Sequence, residues 1–91
     1  MKTLEEVLST IEFKNQTEYY NADIEALIQK EMPGYKVIEQ DMDEVDSLIT
    51  FGEGLEAYIK GKSVEDIQTA VWHTTQQDLY VFFMAYKIKE D

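Results

Sequence analysis

Few residues in this chain could carry chemistry, and the densest group is acidic. The run Asp41-Met42-Asp43-Glu44-Val45-Asp46 places four carboxylates within six residues, the oxygen donors that a hard cation such as calcium prefers. An EF-hand loop starting at Asp41 would need an oxygen ligand fifth, a glycine sixth and a glutamate twelfth. Val45, Asp46 and Gly52 occupy those positions, so the spacing excludes the loop and no dedicated metal site is expected.

Nucleophilic catalysis fares no better. His73 is the only histidine, the serines are Ser9, Ser47 and Ser63, and cysteine is absent. Without cysteine there is no thiolate nucleophile, disulfide, zinc–sulfur site or iron–sulfur cluster. No base stands beside a serine in any motif, and His73, next to Trp72, reads as a structural or surface residue. Gly52-Glu53-Gly54 sets a carboxylate where a phosphate-binding loop would receive an anion. A 91-residue chain also has little room for a pocket of about 300 Å³ or more. The chain is expected to be non-enzymatic, with no catalytic residue, no cofactor and no metal.

What remains is charge. Nineteen acidic residues face eight basic ones, all lysine, for a formal charge of −11. Such a balance repels nucleic acid and anionic membrane, and the lack of arginine removes bidentate phosphate recognition. Between Val37 and Ile59 lie Glu39, Asp41, Asp43, Glu44, Asp46, Glu53 and Glu56 without a single lysine. On a helix, Asp43, Asp46, Thr50, Glu53 and Ala57 would form one row with neighbours about 5–6 Å apart, comparable to phosphates along a strand. The plain alternative is a solvated helix face whose carboxylates favour the N-terminal dipole. Tyr19 and Tyr20, in a polar connection, would add the apolar contact that tyrosine brings to interfaces.

The elements that must position these residues follow from caps and periodicity. Thr3 and Glu6 have capping-box spacing, and Leu4, Val7, Leu8 and Ile11 share a face, predicting a helix over 3–13. Asn21 caps a second helix over 22–32, striped by Ile24, Leu27 and Ile28 and ended by Pro33-Gly34. Residues 35–40 read as a strand. Asp41 and Glu44 repeat the capping spacing, and Val45, Leu48, Gly52, Leu55 and Ile59 define a third helix over 42–60. A hairpin turning at Gly52-Glu53-Gly54 is the competing reading. Ser63 and Asp66 predict a fourth helix ending near Gln77, with Val64, Ile67, Val71 and Thr74 on one face. Residues 79–86 are apolar at both alternating parities, which predicts a central strand over 79–88 buried on both sides, with a buried helix as the competing reading.

The expected fold is therefore α+β: one acidic globular domain over 1–91, about four short helices on a two- or three-stranded antiparallel sheet, with a C-terminal hydrophobic strand. The N-terminal residues interleave Leu4, Val7, Leu8 and Ile11 with Glu5, Glu6 and Glu12, unlike an export signal, and the eight-residue run Leu79 to Tyr86 is too short to span a bilayer. A cytoplasmic location is expected. The expected function is an acidic inhibitor or interaction protein that binds a basic nucleic-acid-binding protein or nuclease through 39–56, as a DNA mimic of the phage anti-restriction or anti-CRISPR kind. The alternatives are an immunity or antitoxin-type protein that neutralises a basic toxin, and a homo-oligomeric regulatory domain. A homodimer through the face of Leu79 to Tyr86 would form if helices covered only one side of that strand.

Overall fold

A computed structural model describes residues 1–12, 21–74 and 79–89 of the chain. The described elements run α1 (Leu4–Glu12), α2 (Asn21–Glu31), β1 (Lys36–Met42), α3 (Val45–Lys60), β2 (Val64–Thr74) and β3 (Leu79–Ile88). The α+β class is as expected. The strands form one antiparallel sheet in the order β1-β3-β2, so β3, the most apolar segment, takes the centre.

The two parities of β3 serve two cores. Val81, Phe83 and Ala85 pack with Leu4, Val7, Leu8 and Ile11 of α1 and Ile24 and Ile28 of α2. Phe82 and Met84 pack on the other side with Leu48 and Ile59 of α3. The sheet is thus sandwiched between helices. This corrects the expectation of a dimer through the face of Leu79 to Tyr86, because that face is already covered.

Local chemistry sets the element boundaries. The Thr3 hydroxyl accepts the Glu6 backbone N–H at 3.2 Å, the expected cap, while the Glu6 carboxylate accepts the Thr3 hydroxyl at 3.2 Å in place of a backbone N–H. Pro33-Gly34 ends α2, with Gly34 at φ +89°, a conformation in which glycine carries no Cβ penalty. The third helix is continuous through Gly52 and Gly54, which eliminates the hairpin. Its expected Asp41–Glu44 capping box does not form: Asp41 belongs to β1, Glu44 is the N-cap residue, and its side chain makes no cap hydrogen bond.

The expected fourth helix is β2. Residues 64–74 do repeat at three and four, but the strand register sets Ile67 against Tyr86 and Trp72 against Val81. Pairing with the apolar centre of the sheet outweighs the weak helical periodicity. Asp66 caps nothing there. It accepts the Tyr35 hydroxyl at 2.6 Å and the Gln68 amide at 2.9 Å, while the Gln68 carbonyl oxygen accepts the Leu4 backbone N–H at 2.7 Å. This chain of bonds seats the start of α1 on β2.

Candidate functional site

Every element in the described order reverses direction. The helix α1 rises over β2, α2 descends over β1, β1 rises, α3 descends across the sheet, β2 rises and β3 returns. An 11-residue strand spans about 36 Å at about 3.3 Å per residue, close to the 42 Å long axis of the molecule. The two ends of the strands are therefore the two ends of the molecule.

At the end where β1 finishes and α2 and α3 begin stand Asp23, Glu25, Asp41, Asp43, Glu44 and Asp46, and Glu39 lies midway along β1. Among the described residues that half holds no lysine. At the opposite end lie Lys2, Lys30, Lys36, Lys60, Lys62, Lys87 and Lys89, seven of the eight lysines. Four carboxylates accompany them, Glu31, Glu56, Glu65 and Asp66, while Glu5 and Glu6, in the first turn of α1, lie beside the middle of β2. Three ion pairs form there: Lys2–Glu31 at 3.7 Å, Lys60–Glu56 at 2.7 Å and Lys87–Glu65 at 3.9 Å. Lysines outnumber carboxylates at this end, and most of the excess negative charge of the described residues lies at the other.

The geometry rearranges the residues singled out in the sequence. Asp43 precedes α3 rather than joining a helical row, while Asp46 and Glu53 are exposed on α3. Glu53 sits midway along the helix and Glu56 is tied to Lys60 near its end, so neither belongs to the carboxylate-rich end. Glu39 and Asp41, opposite Phe83 and Val81, face the α1/α2 side of the sheet, away from α3. The single straight row is therefore not formed. Instead the end is ringed by carboxylates from both sides of the sheet, including Asp23 and Glu25, which lie too far back in sequence to join the 39–56 group by inspection. Tyr19 and Tyr20 lie outside the described residues.

Glu39 is the most constrained of these groups. Burial, followed by the negative charges of Glu25 and Asp41, pushes its carboxyl above the usual glutamate range. One of its oxygens, Oε2, is buried with no hydrogen-bond partner. Asp43, Glu44 and Asp46 are exposed. Among the described residues no group of three or more histidines, aspartates and glutamates could hold a metal ion. The histidine His73 stacks on Tyr80 at 4.5 Å between ring centres, on the sheet face shared with α3.

Among the described residues no helix is long and apolar enough to cross a membrane. No family model matches the chain, and no curated protein or solved structure matches it either.

Proposed function

We propose that this protein is a non-catalytic binding protein that docks its carboxylate-rich end into a cationic cleft of a basic partner, a nucleic-acid enzyme being the class whose phosphate groove offers such a cleft. The observation that supports this reading is the separation of charge along the long axis, with six carboxylates and no described lysine at one end and seven of eight lysines at the other. Simple solvation would be served by interspersed lysines, which also avoid like-charge repulsion. A concentrated field instead orients a molecule before contact and raises its association rate with a cationic partner.

A second reading, direct neutralisation of a basic toxin without imitation of nucleic acid, is favoured by one observation: the carboxylates ring an end of the molecule and do not form a line at phosphate spacing. Competition separates the two. Displacement of the protein from its partner by added DNA or RNA supports mimicry, and simultaneous binding supports direct neutralisation. The common premise is tested by affinity capture from the source cell with the native chain and with Asp43, Glu44 and Asp46 all replaced by lysine. A partner retained by the native chain and lost by the variant, with an unchanged circular dichroism spectrum, is the expected result. A partner retained equally by both would overturn the reading.

A further inference from the structure

A groove of about 720 Å³ opens at the lysine-bearing end, where β1 begins and β3 finishes. This volume lies in the range of small-molecule sites and exceeds what the length of the chain suggests. The described residues that line it are Gly34, Lys36, Glu65, Lys87, Ile88 and Lys89, three lysines and a single carboxylate. Backbone geometry gathers them. Lys36 stands opposite Tyr86 and Lys87 opposite Asp66, so the two lysines come from neighbouring strands one residue apart in register. The Lys89 backbone N–H donates to the Ser63 carbonyl at 3.0 Å. Gly34, at φ +89°, turns the chain past Lys87, and a Cβ built on it would lie 3.8 Å from the Lys87 Cε. Carboxylates are plentiful in a chain with nineteen of them, yet few reach this groove. The Lys87 ammonium has only Glu65, at 3.9 Å, near the outer limit of an ion pair. Lys36 and Lys89 are exposed and form no ion pair among the described residues.

We infer that this groove binds a small multivalent anion of the oligophosphate class, held by Lys36, Lys87 and Lys89. Ammonium groups are compact point charges suited to phosphate oxygens, whereas the chain has no arginine to grip a planar carboxylate with two parallel bonds. The size of the ligand follows from the surroundings. None of the described lining residues is aromatic, so the groove offers no ring on which a base could stack. The formal charge of −11 opposes a long polyanion, which would run from the groove into the field of the rest of the molecule. A short anion stays within the local positive excess. This inference does not depend on what the acidic end binds.

The test is an amide chemical-shift titration of the isotope-labelled full chain with inorganic triphosphate at constant ionic strength. Saturable changes should centre on Gly34, Lys36, Glu65 and Lys87 to Lys89, and sodium chloride at matched ionic strength should not reproduce them. Lys36→Gln combined with Lys89→Gln should weaken binding tenfold or more with an unchanged circular dichroism spectrum. Glu65→Gln should tighten it several-fold, because it removes the carboxylate from the described lining and releases Lys87. Glu90 and Asp91, next in sequence after Lys89, lie outside the described residues, and the variant Glu90→Gln, Asp91→Asn should bind at least as tightly as the native chain. No saturable change up to about 10 mM triphosphate, where a Kd of about 1 mM would register, overturns the inference. So do changes spread evenly over Lys2, Lys30, Lys60 and Lys62, which mark a diffuse ion atmosphere only. A single-stranded oligonucleotide bound more tightly than triphosphate would overturn the assignment to a small anion.

Discussion

Two glycines only two residues apart in α3, and so on different faces of the helix, make opposite demands. A Cβ built on Gly52 would lie 2.6 Å from Cε2 of Phe82, whose ring is buried and held edge-on to Phe51 at 5.6 Å. The helix can approach the sheet there only because position 52 has no side chain. Gly54 has nothing within 4 Å of the same construction. Gly52→Ala should therefore cost about 1–2 kcal/mol net, overpacking outweighing the gain in helix propensity, and Gly54→Ala should gain about 1 kcal/mol. Denaturant melts of the two variants check both signs. Glu39 supplies a pH-dependent case. Its carboxyl is raised in the fold, so the native state is favoured while that group is protonated and loses stability as pH rises from the unfolded value, about 4.3, through the higher folded one. Glu39→Gln should melt higher than the native chain at about pH 7, and the difference should vanish at about pH 4. A gain that persists undiminished at the lower pH would contradict the role given to burial and to Glu25 and Asp41.

At the scale of elements, what could be read from sequence was whatever local chemistry decides. The Thr3 cap, the Pro33-Gly34 stop and the three-and-four spacing of Leu48, Gly52, Leu55 and Ile59 each act within a few residues, and each reappears in the fold. So does β3, where apolar residues at both parities over Leu79 to Tyr86, rich in aromatic and β-branched types, favour a strand covered on two sides over a buried helix. The failure was β2. Covered by α1 on one face and α3 on the other, it lacks the clean polar and apolar alternation that marks a half-exposed strand, and Ser63 with Asp66 imitates a cap. Only its partner β3 decides its state, and that information lies between 5 and 24 residues further along the chain. The bonds from Tyr35 through Asp66 and Gln68 to Leu4 show what Asp66 does instead. The Gln68 and Tyr35 hydrogen bonds hold its carboxyl below the usual range, and its acceptance of the Tyr35 hydroxyl pushes that phenol up to about 12. The Asp66 contribution is present above its ordinary value and lost as pH falls through the lowered one. The Tyr35 contribution is present below about 10 and lost as pH climbs towards about 12. Tyr35→Phe should cost about 1–2 kcal/mol at neutral pH, and its melting temperature should fall less steeply above about pH 10 than that of the native chain.

The whole molecule holds the feature that no single segment announces. Six carboxylates from α2, β1, the turn after β1 and the start of α3 meet at one end because the elements alternate in direction, which composition alone does not reveal. The sequence marked the lysine-free stretch 37–59, but it included Glu53 and Glu56, which the fold carries away from that end, and it omitted Asp23 and Glu25. A field concentrated in this way is long-ranged only while unscreened, and the Debye length shrinks from about 10 Å at 0.1 M salt to about 3 Å at 1 M. Association with a cationic partner should slow as salt is raised over that range, which stopped-flow mixing reads directly, and a rate indifferent to salt would count against steering. The most direct test of the central claim is an amide chemical-shift map of the isotope-labelled chain titrated with its captured partner. The account predicts that the largest changes fall at the start of α2, on residues 39–44 and in the first turn of α3, with the lysine-bearing end unperturbed. Changes centred on Lys36, Lys60, Lys62, Lys87 and Lys89 would contradict it.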